Sequence, residues 1–191
     1  IPEQKIKLIN NIKTEKRAGI DQANMVFAHH IPLPKNQQAY ASFVLNVILA
    51  GGMSSRLFSE IREKRNLAYG VKGDCDLNKR FAYSWIYVGC MPENLKKVIS
   101  VIVKEFDKVS RDLTQEEFEN AKQQLIGNYH IGMEDSQSQM INLLGNEIIS
   151  VAEDFYKFEK NINLVSIKDV KKIASGVAKG KYSIFSLVPK E

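Results

Sequence analysis

The chain has 191 residues, of which 44% are hydrophobic and 26% charged, with a formal net charge of +5. That length fits one domain burying about 70% of its unfolded surface, and no apolar run reaches the roughly 18 residues of a membrane-spanning helix. Lys and Arg alternate with Glu and Asp along the helices expected at 92–109 and 114–129, which reads as solvated faces rather than a nucleic-acid surface. Cys75 and Cys90 make no disulfide framework, and unpaired thiols are compatible with a reducing compartment. The chain opens at Ile1-Pro2-Glu3, with neither an initiator Met nor a signal sequence, and is expected to be a fragment or a processed product.

Residues 1–22 are polar and basic, with Lys5, Lys7, Lys13, Lys16 and Arg17 among a few aliphatics, and are expected to hold a linker and a short edge strand. Residues 23–191 are expected to form a single domain. Ala23 to His30 reads as a buried strand that Pro32 and Pro34 cut off, since a proline removes a ladder donor. From Asn36 to Ala50 the apolar positions Tyr40, Phe43, Val44, Val47 and Ile48 follow helical spacing. Gly51-Gly52 ends that helix, and Ser54 or Ser55 is expected to cap a new one by accepting hydrogen bonds from its first free amides. In the new helix Met53, Leu57 and Ile61 are expected to share a core face, with Arg56, Glu60, Glu63 and Lys64 mostly elsewhere. Asn66 suits a left-handed stop, after which Leu67, Tyr69 and Val71 alternate as in a strand. Arg62 thus falls in the last helical turn and Tyr69 early in the strand.

Segments 69–76 and 81–90 are expected to form a hairpin turning near Asn78-Lys79, which sets Cys75 opposite Ala82 and Cys90 beside Leu67, too far apart to bond. Phe81, Tyr83, Trp85 and Tyr87 alternate with Ala82, Ser84, Ile86 and Val88. The aromatic stripe is read as core, with contact to a peptide as the alternative. Pro92 opens a helix to about Val109. Thr114-Gln115-Glu116-Glu117 has the pattern of a capping box ahead of a helix reaching Met133. Further helices are expected at 135–150, around Met140, Leu143, Leu144 and Ile148, and at 154–163. Ser166 starts a last helix, and a strand from Lys181 to Val188 closes the chain. This order of elements implies an α+β fold with one sheet covered by helices, and the chain shows no internal repeat or low-complexity segment.

Zinc hydrolysis of a peptide needs three protein ligands, an open position for water and a carboxylate base. Neither H-x-x-E-H nor H-E-x-x-H occurs among the three histidines. His29-His30 is read as structural or exposed, and His130 and Glu134 as a surface pair. No metal or other cofactor is expected in this chain. Gly51-Gly52-Met53-Ser54-Ser55 is neither a nucleophile elbow nor a phosphate loop, although a helix start can hold a peptide carbonyl. On that ground Gly51, Gly52, Ser54 and Ser55 are candidate substrate-binding residues.

The run GGMSSRLFSEIREKRNLAYGV at 51–71 resembles the C-terminal homologous half of the pitrilysin/insulinase-type zinc metallopeptidases, the inverzincins, and most the bacterial members related to mitochondrial processing peptidase. The likeness extends over about residues 20–190, with Asn66 standing where close relatives often have glycine. It implies a mixed, mostly antiparallel sheet backed by helices. It also implies that zinc belongs to a partner half carrying H-x-x-E-H, in the same chain or a separate subunit, and that this half alone is inactive. Arg62 and Tyr69 match the spacing of two family residues that reach into the shared chamber. The tyrosine hydroxyl there donates to the scissile carbonyl oxygen, and the arginine binds a neighbouring carbonyl of an extended peptide. Read without the resemblance, Arg62 pairs with a local Glu and Tyr69 packs in a strand. The alternatives are a structural or assembly subunit, like the respiratory-complex core proteins of this fold, and a free-standing peptide-binding module. Whether the isolated domain forms a homodimer stays open, since a domain that normally faces another of its kind can expose an apolar patch. Substrate and compartment stay open, the latter between bacterial cytoplasm, periplasm and an organelle matrix.

Overall fold

Alternation along the strands decides which face of the sheet is core. In the computed structural model, which describes residues 10–34 and 36–190, strand β2 (Ala23–His30) buries Ala23, Met25, Phe27 and His29 and leaves the residues between them half-buried or exposed. Strand β4 (Ala82–Cys90) likewise buries Ala82, Ser84, Ile86 and Val88. Both are antiparallel neighbours, Phe27 lying opposite Ile86. With β1 (Ile12–Arg17), β3 (Ala68–Leu77) and β5 (Ser183–Pro189) they form a sheet of order β1-β5-β2-β4-β3. Only the β1–β5 pairing is parallel, so the sheet is mixed and mostly antiparallel. The short edge strand expected within 1–22 is β1, while residues 1–9 lie outside the described residues.

Among the described residues six α-helices accompany the sheet: α1 (Ala39–Ala50), α2 (Leu95–Asp112), α3 (Gln115–Met133), α4 (Ser136–Ile149), α5 (Phe158–Asn163) and α6 (Ile167–Ala178). Helix α1 is apolar almost all round and packs on β3, α3 and α6 at once, the usual fate of a helix without a polar face. It approaches β3 at Gly73, where a Cβ would stand 2.7 Å from the Ala50 Cβ. Phe27 joins sheet to helices, stacking on Phe106 at 5.6 Å and on Tyr182 at 4.6 Å between ring centroids. No helix among the described residues is long and apolar enough to cross a membrane.

The caps expected at Thr114 and Ser166 form. Thr114 Oγ1 accepts from the Glu117 amide at 3.2 Å, and Ser166 Oγ from the Asp169 amide at 3.3 Å. Four expectations fail. The aromatic stripe is on the half-exposed face: Tyr83, Trp85 and Tyr87 alternate with the buried residues of β4, and Phe81 is 42% exposed. The small residues were needed on the other side, where α1 approaches closely. Helix α4 forms but buries none of its residues, and Met140, Leu144 and Ile148 are at least 60% exposed. The Asn78 amide bonds to the Phe81 carbonyl at 2.9 Å, so the hairpin turns at Lys79-Arg80, and Cys75 faces Ser84 rather than Ala82. Cys90 faces Ala68, and both thiols are free. Lastly, His130 pairs with Glu159, Nε2 to Oε2 3.0 Å, rather than with Glu134, which lies just beyond the end of α3.

Candidate functional site

The segment between α1 and β3 is built from the inside outward. The Gly51 amide closes α1 on the Val47 carbonyl at 3.0 Å, and Gly52 turns the chain at φ +137°, a region closed to most side chains. Ser55 is buried, yet its hydroxyl donates to the Gly52 carbonyl at 2.6 Å instead of capping the next helix. Its carbonyl makes the helical bond, accepting from the Ser59 amide at 3.1 Å. Regular helix begins at Arg56 rather than at Ser54 or Ser55 and becomes a π-helix over Phe58–Glu63. Leu57 and Ile61 are fully buried, whereas Met53, expected beside them, is 76% exposed because it precedes the helix.

Arg62 lies in the last turn of this unit, exposed, with its guanidinium 4.9 Å above the Phe58 ring. It forms no ion pair among the described residues. Its neighbours do: Lys64 and Arg65 both reach Glu60, whose carboxyl they hold down at about pKa 2. The local Glu that could have paired with Arg62 is thus already occupied. Asn66 takes φ +49°, as its short polar side chain allows. Its amide bonds to the Arg62 carbonyl at 3.1 Å, and the Leu67 amide to the Ile61 carbonyl at 2.8 Å. The backbone of Arg62 is thereby tied to the start of β3.

Tyr69 follows at a break in the β3–β4 register between Ala68 and Gly70. Bulges of this kind re-aim side chains, and Tyr69 is 66% exposed. Its hydroxyl donates to the Met91 sulfur at 3.5 Å, a weak acceptor. With Met91, Gln22 and Asn24 it lines an open cavity of about 570 Å³. Ser54 and Ser55 line a different cleft, against Thr114, Glu117 and Gln124. No hydrogen bond or ring contact joins Arg62 to Tyr69, so each presents its donor separately. Sequence reasoning missed Met91 and Asn24. The latter accepts from the Tyr87 hydroxyl at 2.6 Å, and strand alternation, which puts Asn24 and Tyr87 on one face, could have found that pair.

The histidines do not make a metal site. His29 is 4% exposed with neither ring nitrogen hydrogen-bonded, and burial, assisted by His30, pushes its pKa down to about 4. No group of three or more His, Cys, Asp or Glu among the described residues is arranged to hold a metal ion. These residues do not fit a zinc ion, and no chemistry of this chain is routed through one.

The family model for the peptidase M16 inactive domain matches residues 1–125. The chain belongs to this family. An uncharacterized zinc protease from Mycobacterium tuberculosis strain H37Rv is 33% identical over 155 residues, covering 80% of this chain and 35% of that protein. The chain therefore spans about a third of the length of that relative. Among solved structures, a protease from Helicobacter pylori superimposes with a TM-score of 0.83 at 18% identity, over 98% of this chain and 45% of that one. A chain of complex III2 from Candida albicans does so with a TM-score of 0.82 at 14% identity, over 94% of this chain and 46% of that one.

Proposed function

We propose that this domain is the substrate-binding half of a zinc metalloendopeptidase, with residues 23–191 forming its body and 1–22 a linker and edge segment whose β1 strand pairs with β5. It closes over a separate half carrying H-x-x-E-H and zinc, and holds an extended peptide between the two. Arg62 binds a main-chain carbonyl of that peptide, and Tyr69 donates to the scissile carbonyl oxygen as it gains negative charge. By itself the domain hydrolyses nothing. The observation that carries this reading is that Arg62 and Tyr69 are exposed donors not committed to any carboxylate, while Lys64 and Arg65 beside them are.

The half-exposed face of the sheet suits the same role. Trp85 Nε1 donates to Asp76 Oδ2 at 2.8 Å and Phe81 stacks with Tyr83 at 6.2 Å. These side chains form an aromatic surface with its polar tips satisfied, suited to contact with apolar peptide side chains. Gly51, Gly52, Ser54 and Ser55 serve mainly to turn the chain, and a direct peptide contact from them is the lesser part of the proposal. The second reading, an assembly subunit, is favoured by the fold's use in complex III2.

Tyr69→Phe in the complete assembly, with its zinc-bearing half, tests the first reading. Loss of an oxyanion donor lowers kcat by about 100-fold or more, with the unfolding midpoint unchanged. A fall of under about threefold with folding unaffected would overturn the oxyanion role of Tyr69.

A further inference from the structure

The N-terminal end of the Arg62 helix is held by an ion pair from a distant part of the chain. Arg56 Nε donates to Glu117 Oε1 at 2.6 Å and Arg56 NH2 to Glu117 Oε2 at 2.5 Å, while Arg56 NH1 reaches Asp112 Oδ1 at 3.0 Å. The Arg56 side chain is 18% exposed and that of Glu117 32%. Glu117 is the residue whose carboxylate a capping box would turn back toward Thr114. It is spent on Arg56 instead, while its own amide bonds to Thr114 Oγ1. One guanidinium thus ties the last residue of α2 and the first turn of α3 to the first residue of the helix that carries Arg62 in its last turn. Gln124 of α3 adds a second strap, Nε2 to the Gly51 carbonyl at 2.7 Å.

These straps bridge a gap that packing leaves open. Behind Ser54 and Ser55 is a polar cleft of about 340 Å³ facing α3. Leu57 and Ile61, both fully buried, set how deeply the short helix sits. A planar fork gripping a carboxylate through two parallel bonds fixes an angle as well as a distance. The far end of the helix carries Arg62 and runs through Asn66 directly into Tyr69.

We propose that the Arg56–Glu117 fork is a positioning device that sets the aim of Arg62 and Tyr69. This rests on the reading of those two residues as peptide-binding groups. Arg56 is a positioning residue and touches no substrate. A rotated helix would move both donors away from the carbonyls they serve, and misplacement by about 1 Å can cost on the order of 100-fold in rate.

The test uses the intact protein with its zinc-bearing half and a peptide pool as substrate. Arg56→Lys keeps the charge but not the fork, and Glu117→Gln removes the charge at equal shape, serving where the lysine variant fails to fold. In an otherwise unaltered protein either change should lower kcat/KM by about tenfold or more, and in a background carrying both Tyr69→Phe and Arg62→Ala by less than about threefold, since aim is worthless once both donors are gone. Amide exchange at Asn66 and Leu67 should quicken in both backgrounds. Equal losses in the two backgrounds, or unchanged exchange, would overturn the proposal as a purely structural or local effect. If Tyr69→Phe and Arg62→Ala are impaired and both fork variants are not, only the positioning role has failed. If Tyr69→Phe and Arg62→Ala leave turnover intact, the peptide-binding reading has failed and this inference falls with it.

Discussion

Two helical segments carry the same apolar spacing and meet opposite fates. Leu57 and Ile61, four residues apart, are fully buried, whereas Met140, Leu144 and Ile148, also spaced by four, are each at least 60% exposed. The difference is what lies opposite. The short helix before β3 drops into the core made by the sheet and α2, while α4 extends beyond it, touching the end of α3 and the turn at Ala152–Lys157. A periodic apolar face therefore says that a helix has a side to cover, and only tertiary context says whether this chain covers it.

The sharpest way to break this comparison is to truncate both. Ile61→Ala should cost about 2–5 kcal/mol of unfolding free energy in urea, whereas Leu144→Ser should stay within about 0.5 kcal/mol. Similar costs at the two sites would mean that α4 is covered after all.

Burial rather than apolarity sets the larger effect, and His29 tests this at a polar position. Its folded pKa of about 4 lies below the ordinary 6.5, so the unfolded chain takes up a proton that the folded chain refuses. The stability His29 leaves intact is complete above about pH 6.5 and is lost, at about 1.4 kcal/mol per pH unit, as pH falls toward about 4. His29→Phe should flatten that part of the stability–pH curve. A variant that keeps the full slope would place its cause in other groups.

The caps give a smaller contrast. Thr114→Ala should cost about 1 kcal/mol overall, because α3 packs on α1 and carries buried Phe118, Ala121 and Ile126. The cap of α4 is Asp135, which accepts from the Ser138 amide at 2.8 Å. Asp135→Ala should quicken amide exchange within α4 and leave the global midpoint where it was. A shift in the midpoint would join α4 to the cooperative core.

What was legible in the sequence was local. Asn66 in the left-handed region, the caps at Thr114 and Ser166, and the order of elements all follow from residues within a few positions of one another. The rest depended on partners far along the chain. A spacing of four cannot distinguish α from π geometry, so the widened turn under Arg62 did not register. A local Glu looked available to Arg62, but Lys64 and Arg65 hold Glu60. The side on which the aromatic stripe falls is set by how closely α1 approaches β3 at Gly73, and a hairpin turn placed one residue early carried Cys75 two positions from its true neighbour. The pairing of Tyr69 with Met91 had no signal at all.

That last contact bears on how quickly the resting molecule can respond. A thioether is a soft acceptor, so the phenol of Tyr69 rests in a shallow well. Its release strands no charge and leaves no polar atom entombed. An exposed ring of this kind reorients in picoseconds to nanoseconds, so under the proposed role the swing from sulfur to a peptide carbonyl would require only a side-chain rotation and no rearrangement of the sheet.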